Sequence, residues 1–313
     1  MAIPQFPKEQ SETGEFKRQA DRFRRWVRRD GSSEFPAESG RYHLYVSLAC
    51  PWAHRTIIMR RLRGLEEAIS MTVVDPIRDD ETGWAFRPGP GHSEDPLNGF
   101  HYLREAYLAC DPAYDGRVTV PVLWDVKSKQ IVSNSDDDLL RMLNAEFADF
   151  AQNDFDFYPE PLRNEIDQLN TLIYETVNDG VYRAGFATTQ AAYEAAARAL
   201  FATLDQLEDR LARQRYLFGR RMTETDWRLF PTLIRFDSVY HGHFKCNLRR
   251  IVDYPHLSGY LRDLYQHDGV AETVNFDHIK RHYYMTHDEI NPTRIVPIGP
   301  LLDLDAPHER DWL

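Results

Sequence analysis

Tyr42-His43-Leu44-Tyr45-Val46-Ser47-Leu48-Ala49-Cys50-Pro51-Trp52-Ala53-His54-Arg55 is the stretch whose reading decides the fold. The apolar, β-favouring run from Tyr42 to Leu48 predicts a strand, and the basic, apolar run to Leu65 predicts a helix from Ala53. Cys50 then falls where strand turns into helix. Backbone N–H groups at a helix start carry partial positive charge and favour thiolate over thiol, and the thiolate is the attacking species. Arg55 adds a nearby cation. The competing reading of Cys50 is a buried structural cysteine. Ala53 stands where a dithiol would place its second sulfur, so Cys50 cannot close an internal disulfide there. A reactive Cys50 must therefore work through a mixed disulfide with a small thiol or a substrate.

Working outward, residues 1–38 read as an extension that ends in Gly31-Ser32-Ser33 and Pro36. After the first strand and helix come a strand over Ser70–Val74 and a Gly- and Pro-rich connection over Pro76–Gly99. Strands at Val120–Trp124 and Gln130–Val132 and a helix at Asp137–Asn144 follow. This β-α-β…β-β-α order over residues 39–150 is that of a thioredoxin-like α/β domain. Beyond Asp154 strand signals vanish. Pro161–Asp179, Thr189–Arg213, Thr223–Tyr240 and Leu257–Tyr265 carry apolar residues at helical spacing, so residues 151–313 read as an all-helical domain with a tail. Thr223-Glu224-Thr225-Asp226 resembles a capping box, a structural helix start rather than a catalytic triad.

Composition narrows the classes. A chain of 313 residues with 42 % hydrophobic content, 17 Phe, 16 Tyr and 6 Trp is a globular protein of two domains. No apolar run approaches the roughly 18 residues that span a bilayer, and the charged N-terminus lacks a secretory h-region. The expected compartment is the cytoplasm. Three widely spaced cysteines, Cys50, Cys110 and Cys246, fit neither a disulfide scaffold nor a zinc site. His241 and His243 with His54 lack metal-site spacing, so no metal is expected. The net charge of −11 repels a polyphosphate backbone, so nucleic acid is not an expected partner. The basic cluster Lys17–Arg29 is read as a solvated helix face with Trp26 and Val27 on its packed side, in preference to a nucleic-acid arm.

Further motifs identify a resemblance. Cys50-Pro51-Trp52-Ala53-His54-Arg55, Trp84, Gly116 to Asp125, Asn178 to Ala187, Lys280 to Tyr284 and Asn291 to Pro297 look like glutathionyl-hydroquinone reductases, the xi class of glutathione transferases. The resemblance runs from about Arg41 to Pro300. It implies a thioredoxin-like domain followed by an all-helical glutathione transferase domain, glutathione as co-substrate, and a homodimer paired through the helical part. It also implies that Cys50 attacks the sulfur of a glutathionyl-hydroquinone and that a second glutathione resolves the mixed disulfide. Tyr182 matches the proton donor to the departing ring, and Tyr240 and Tyr283 match tyrosines that help hold the cysteine as thiolate. The resemblance further implies a cis Val120–Pro121 bond whose backbone edge faces a ligand.

The same resemblance places the thiol along Trp84, Arg117, Val118, Thr119 and Val120, with Val120 offering backbone hydrogen bonds as an added strand would. Each assignment has a competitor. Tyr182 and Tyr283 also read as packed aromatics, Tyr240 as a helix cap, and Arg117 as a surface partner of Asp115; Tyr284 has no assigned role. The chain departs from the family at Ser135-Asp136, where a Glu-Ser pair usually receives the γ-glutamyl group. Asp136 can still meet an ammonium and Ser135 or a helix-start N–H a carboxylate. The swap also admits another low-molecular-weight thiol, such as mycothiol. A general deglutathionylase and a non-catalytic binding protein on the same fold are the remaining alternatives.

Overall fold

The computed structural model describes residues 5–79 and 81–313, which cluster as two compact units. One unit comprises Gln19–Asp156 and Glu272–His282. The other comprises the residues up to Arg18, Phe157–Ala271 and Tyr283–Leu313.

The first unit is built on a mixed sheet of β3 (Tyr42–Val46), β4 (Ile69–Val73), β5 (Val122–Asp125) and β6 (Gln130–Ser133), with β1 (Val27–Arg28) and β2 (Phe35–Pro36) as a separate short pair. The sheet order is β4-β3-β5-β6: β3 runs parallel to β4 and antiparallel to β5, and β5 antiparallel to β6. Every residue of β3 is buried, as a central strand covered on both faces requires.

Helix α1 (Pro51–Leu62) starts on Pro51, whose missing N–H costs nothing at a first helical position, with Cys50 as the N-cap. It ends at Gly64, held at φ +64° and so close to Gln152 that a Cβ there would lie 2.7 Å from its side chain. Helix α2 (Leu103–Cys110) occupies a span to which the sequence reading assigned no element. Tyr102 and Glu105 cap it, and Leu103, Ala106 and Tyr107 form its buried face. With α2 between β4 and β5 the β-α-β-α-β-β-α order is complete. Strand β5 begins after Pro121, which has no N–H to give a ladder, and α3 (Asp136–Arg141) begins at the N-cap Ser135.

The basic segment does not form the expected helix. Residues 23–25 pair through their backbone with β6: Asn134 N–H donates to Phe23 O at 3.0 Å, and Arg25 N–H to Val132 O at 3.0 Å. Arg24 makes a bidentate pair with Asp138 at 2.8 and 2.7 Å, Arg28 meets Glu146 at 3.1 Å, and Arg29 pairs with Asp149. An extended strap that covers a sheet edge satisfies more backbone groups than an isolated amphipathic helix, and its charges are matched by acids of the same unit.

The second unit is helical: α4 (Arg163–Ile173), α5 (Gly180–Gly185), α6 (Gln190–Leu211), α7 (Glu224–Arg235) and α8 (Pro255–Tyr265). The box at the start of α7 forms as read, with Thr223 N–H donating to Asp226 at 2.8 Å. Asp226 also accepts from Leu217 N–H at 2.9 Å and Tyr260 O–H at 2.8 Å, so it is a buried structural hub. The Gly180-Val181-Tyr182 segment opens helix α5. Lys280 to Tyr284 lie on a further helix, α9 (Phe276–Thr286), and the division between the units falls on it, between His282 and Tyr283. No helix of the described residues is long and apolar enough to cross a membrane.

Candidate active site

In the sheet-containing unit, Cys50 is 8 % exposed and sits at the N-terminus of α1 with extended backbone angles. Its thiol donates to the Val120 carbonyl at 3.5 Å, and the Val120–Pro121 bond is cis. That segment is braced from several sides. Tyr107 O–H donates to Thr119 O at 2.9 Å, Asn134 Nδ2 donates to Thr119 Oγ1 at 3.0 Å, and Gln19 clasps both backbone groups of Arg117 at 2.8 Å. Trp84, 5 % exposed, stacks on His282 with ring centroids 5.0 Å apart and planes 20° from parallel. His282 Nδ1 lies 2.8 Å from the Pro76 carbonyl, which fixes Nδ1 as the protonated ring nitrogen and sets the ring's orientation.

Arg55 is 1 % exposed and lies one turn beyond Cys50 on α1. Its guanidinium meets Asp136 at 2.7 Å and Asp137 at 3.5 Å, and lies 4.6 Å from the Trp52 ring centroid. Ser135 Oγ accepts from Asp138 N–H at 3.4 Å, as the N-cap of α3. The swapped pair therefore presents a carboxylate already ion-paired to Arg55 and a hydroxyl already used as a cap.

In the helical unit three phenols meet. Tyr283 Oη lies 2.5 Å from Tyr182 Oη and 2.9 Å from Tyr240 Oη. One hydroxyl carries one proton, so Tyr283 donates to at most one neighbour and accepts from the other. Tyr240 and Tyr283 are 0 % and 1 % exposed, whereas Tyr182 keeps 7 %. Burial is the largest influence on Tyr240 and Tyr283 and pushes both phenols well above their ordinary range; Arg235 offsets this in part. Both therefore stay protonated and act as hydrogen-bond groups.

A cluster of rings packs around the trio: Tyr240 on Phe244 (5.5 Å, 20°), and Phe244, His287 and His243 as mutual neighbours with centroids 5.8, 5.4 and 5.3 Å apart. Tyr283 stands edge-on to two of these rings, at 88° to Tyr240 and 80° to Phe244. His243 Nε2 lies 3.2 Å from His287 Nδ1, and burial lowers the His243 pKa to about 4. Tyr284 donates to the Ser238 carbonyl at 3.2 Å. His54 pairs instead with Thr273 Oγ1 at 2.8 Å, and among the described residues no group of three or more His, Cys, Asp or Glu could hold a metal ion.

Within each unit the structure brings the expected residues together: Cys50 with Val120, and Tyr182 with Tyr240 and Tyr283. Sequence reasoning did not single out Gln19, Asn134 and His282, which hold Arg117, Thr119 and Trp84, or Arg18 beside Tyr182. Of these only His282 carried a signal, as the neighbour of Tyr283 in a matched motif. Cys246 is buried, which raises its thiol pKa, and accordingly lacks thiolate character.

Comparison with known proteins gives the family. Residues 49–146 match the glutathione S-transferase N-terminal domain family and residues 190–263 the glutathione S-transferase C-terminal domain family. The chain is 53 % identical over 305 residues to glutathionyl-hydroquinone reductase YqjG of Escherichia coli (strain K12), covering 95 % of this chain and 93 % of that protein. It is 54 % identical over 266 residues to glutathionyl-hydroquinone reductase PcpF of Sphingobium chlorophenolicum, covering 85 % of each. The glutathione-bound structure of the E. coli protein superposes with a TM-score of 0.90, covering 92 % of this chain and 96 % of that one at 53 % identity. A xi-class transferase from Natrialba magadii gives 0.91, with 93 % and 89 % covered, also at 53 % identity.

Proposed function

The chain belongs to the glutathionyl-hydroquinone reductases of the xi class of glutathione transferases, and from that membership we propose that it reduces glutathionyl-hydroquinones to hydroquinones at the expense of glutathione, with Cys50 as nucleophile. The observation that carries the assignment is a lone cysteine at the N-terminus of α1 beside the backbone of Val120. In the first half-reaction the Cys50 thiolate bonds to the conjugate's sulfur. The carbon–sulfur bond breaks with its electron pair left on the ring carbon, and a proton must reach that carbon. Tyr182 is the proton donor in this reading, because it is the most exposed of the three linked phenols and Tyr283 holds its oxygen. In the second half-reaction a glutathione thiolate attacks the protein–glutathione disulfide, releasing oxidised glutathione and restoring the Cys50 thiolate.

Trp84, Arg117, Val118, Thr119 and Val120 are assigned to the thiol's cysteinyl and glycyl parts, and Ser135 and Asp136, with the first turn of α3, to its γ-glutamyl end. Glutathione is the thiol of this reading. The alternative thiol rests on the swapped Ser135-Asp136 pair alone, and no relative described above is named for one. A homodimer paired through helical elements, in the cytoplasm, completes the picture; sedimentation of the purified protein checks its mass. The test of function is turnover: wild type converts a glutathionyl-hydroquinone and one glutathione into free hydroquinone and one oxidised glutathione. Release that persists in Cys50→Ser overturns the assignment.

A further inference from the structure

We propose that Arg18, from the segment ahead of the sheet, is a positioning residue for proton transfer: its guanidinium lies over the Tyr182 ring and stabilises the phenolate left when that hydroxyl gives up its proton. This rests on the reading of Tyr182 as donor, and it gives the N-terminal extension a part in the reaction.

The geometry is specific. Arg18 Cζ lies 4.8 Å from the Tyr182 ring centroid and 5.3 Å from that of Phe16. Arg18 Nε donates to Asp179 Oδ1 at 2.9 Å, and both side chains are mostly buried, at 21 % and 11 % exposure. The backbone carbonyl of Asp179 in turn accepts the N–H of Tyr182 at 3.0 Å and of Arg183 at 2.9 Å. Arg18 therefore holds the turn that carries Tyr182 through Asp179 and covers the face of its ring directly. Phe16 and Phe6 anchor the same segment against Phe186, with centroids 5.2 and 5.0 Å apart.

The chemistry follows from the charge. A guanidinium over a neutral phenol gains a modest cation–π attraction, but over a phenolate it gains a full Coulombic one, so the contact is stronger after the proton has left than before. An interaction that grows along the reaction accelerates it. The two phenols linked to Tyr182 are buried and stay neutral, so they bring no positive charge to a Tyr182 phenolate, whereas Arg18 does. Arg18 itself stays charged: burial is the largest single influence and works against the charge, but Asp179 and Tyr182 outweigh it. The Tyr182 phenolate recovers its proton from water once hydroquinone has formed.

The experiment uses the full-length protein as wild type, Arg18→Gln, Arg18→Lys, Tyr182→Phe and the Arg18→Gln/Tyr182→Phe double variant, in two single-turnover reactions. One is hydroquinone release from a glutathionyl-hydroquinone. The other is glutathione transfer to Cys50 from a small mixed disulfide, whose leaving thiolate needs no proton on carbon. Arg18→Gln is expected to slow hydroquinone release about tenfold, the size of a one-unit loss of donor acidity. The conjugate concentration at half-maximal rate stays within about twofold, and the disulfide reaction keeps its wild-type rate. Arg18→Lys recovers part of the loss, and Arg18→Gln adds no further loss in the Tyr182→Phe background. Equal losses in both reactions, or a tenfold loss that persists in that background, overturn the proposal and leave Arg18 a structural strap. Taking the ratio of the two reactions removes any effect of lower stability. Wild type that performs the disulfide reaction but releases no hydroquinone refutes the underlying reading instead.

Discussion

The hydroxyl oxygen of Tyr283 lies 2.5 Å from that of Tyr182. With Tyr182 proposed as the proton donor, Tyr283 is placed to aim it, while Tyr240, 2.9 Å from Tyr283, would act one hydroxyl further away. Tyr182→Phe is expected to slow hydroquinone release about 100- to 1,000-fold, the usual worth of a placed general acid. Tyr283→Phe leaves a donor with a loosened oxygen and slows release about tenfold, and Tyr240→Phe costs less than Tyr283→Phe. Rapid-quench measurement of free hydroquinone in one turnover ranks the three. A Tyr240→Phe loss as large as that of Tyr182→Phe contradicts the order.

Buried histidines set the acid limit of stability. His43, held between Ser70 Oγ at 2.7 Å and Thr72 Oγ1 at 2.9 Å, and His243 both have pKa values lowered by burial to about 4. Each is neutral in the folded state while its unfolded counterpart takes up a proton near pH 6.5. Their contribution is present above about pH 6.5 and is lost as the pH falls towards 4, at about 3 kcal/mol per histidine. Tyr240 and Tyr283 act with the opposite sense: their raised pKa values leave stability untouched at neutral pH and remove it as the pH rises beyond about 10. Denaturant midpoints measured against pH, for wild type and His243→Phe, check this; an unchanged acid slope in the variant contradicts the assignment to His243.

Asp136 neutralises a guanidinium that is 1 % exposed. Asp136→Asn leaves Arg55 with Asp137 at 3.5 Å as its remaining acidic partner among the ion pairs described. The expected cost is about 3 kcal/mol of folding stability, as for half of a buried ion pair. If the first turn of α3 also receives the γ-glutamyl end, the glutathione concentration at half-maximal rate rises about tenfold while release of hydroquinone in the first half-reaction stays near the wild-type rate. Steady-state kinetics against glutathione separate these effects. Running the same assay with mycothiol tests the thiol directly: a strong preference for mycothiol over glutathione in wild type contradicts glutathione as co-substrate.

Gly185 has no room for a side chain. A Cβ there would run into the ring of Phe244, and Phe244 stacks on both Tyr240 and His287. Gly185→Ala is expected to push Phe244 aside at a cost of about 1–3 kcal/mol and to slow hydroquinone release more than the disulfide reaction. Thermal unfolding and the two single-turnover assays check it.

Much of this was legible in the sequence wherever a local rule decides the structure. The strand-to-helix turn at Cys50 and the box of Thr223 with Asp226 both form, although α1 opens on Pro51, two residues before the expected Ala53. The apolar run of β3 and the helical spacing of α6 and α7 are likewise local. Helix α2 escaped because it follows a long Gly- and Pro-rich connection and its apolar face is only Leu103, Ala106 and Tyr107. The strap over residues 23–25 escaped for another reason: its partner, the edge of β6, is more than 100 positions away, and no local pattern announces a long-range backbone pairing. The roles of Tyr182, Tyr240 and Tyr283 came from the resemblance, since tyrosines 43 and 101 residues apart carry no spacing signal of their own. Arg18 fell within the basic cluster Lys17–Arg29, read as a solvated face, whereas its side chain is mostly buried against Asp179 and Tyr182.

The most direct test of the account is the intact mass of wild type and Cys50→Ser, quenched within one turnover after mixing with a glutathionyl-hydroquinone in the absence of added thiol. The account predicts one glutathione bound to wild type, none to Cys50→Ser, and one equivalent of hydroquinone released only by wild type. Hydroquinone release without an adduct on wild type, or an adduct that survives in Cys50→Ser, contradicts Cys50 as the nucleophile.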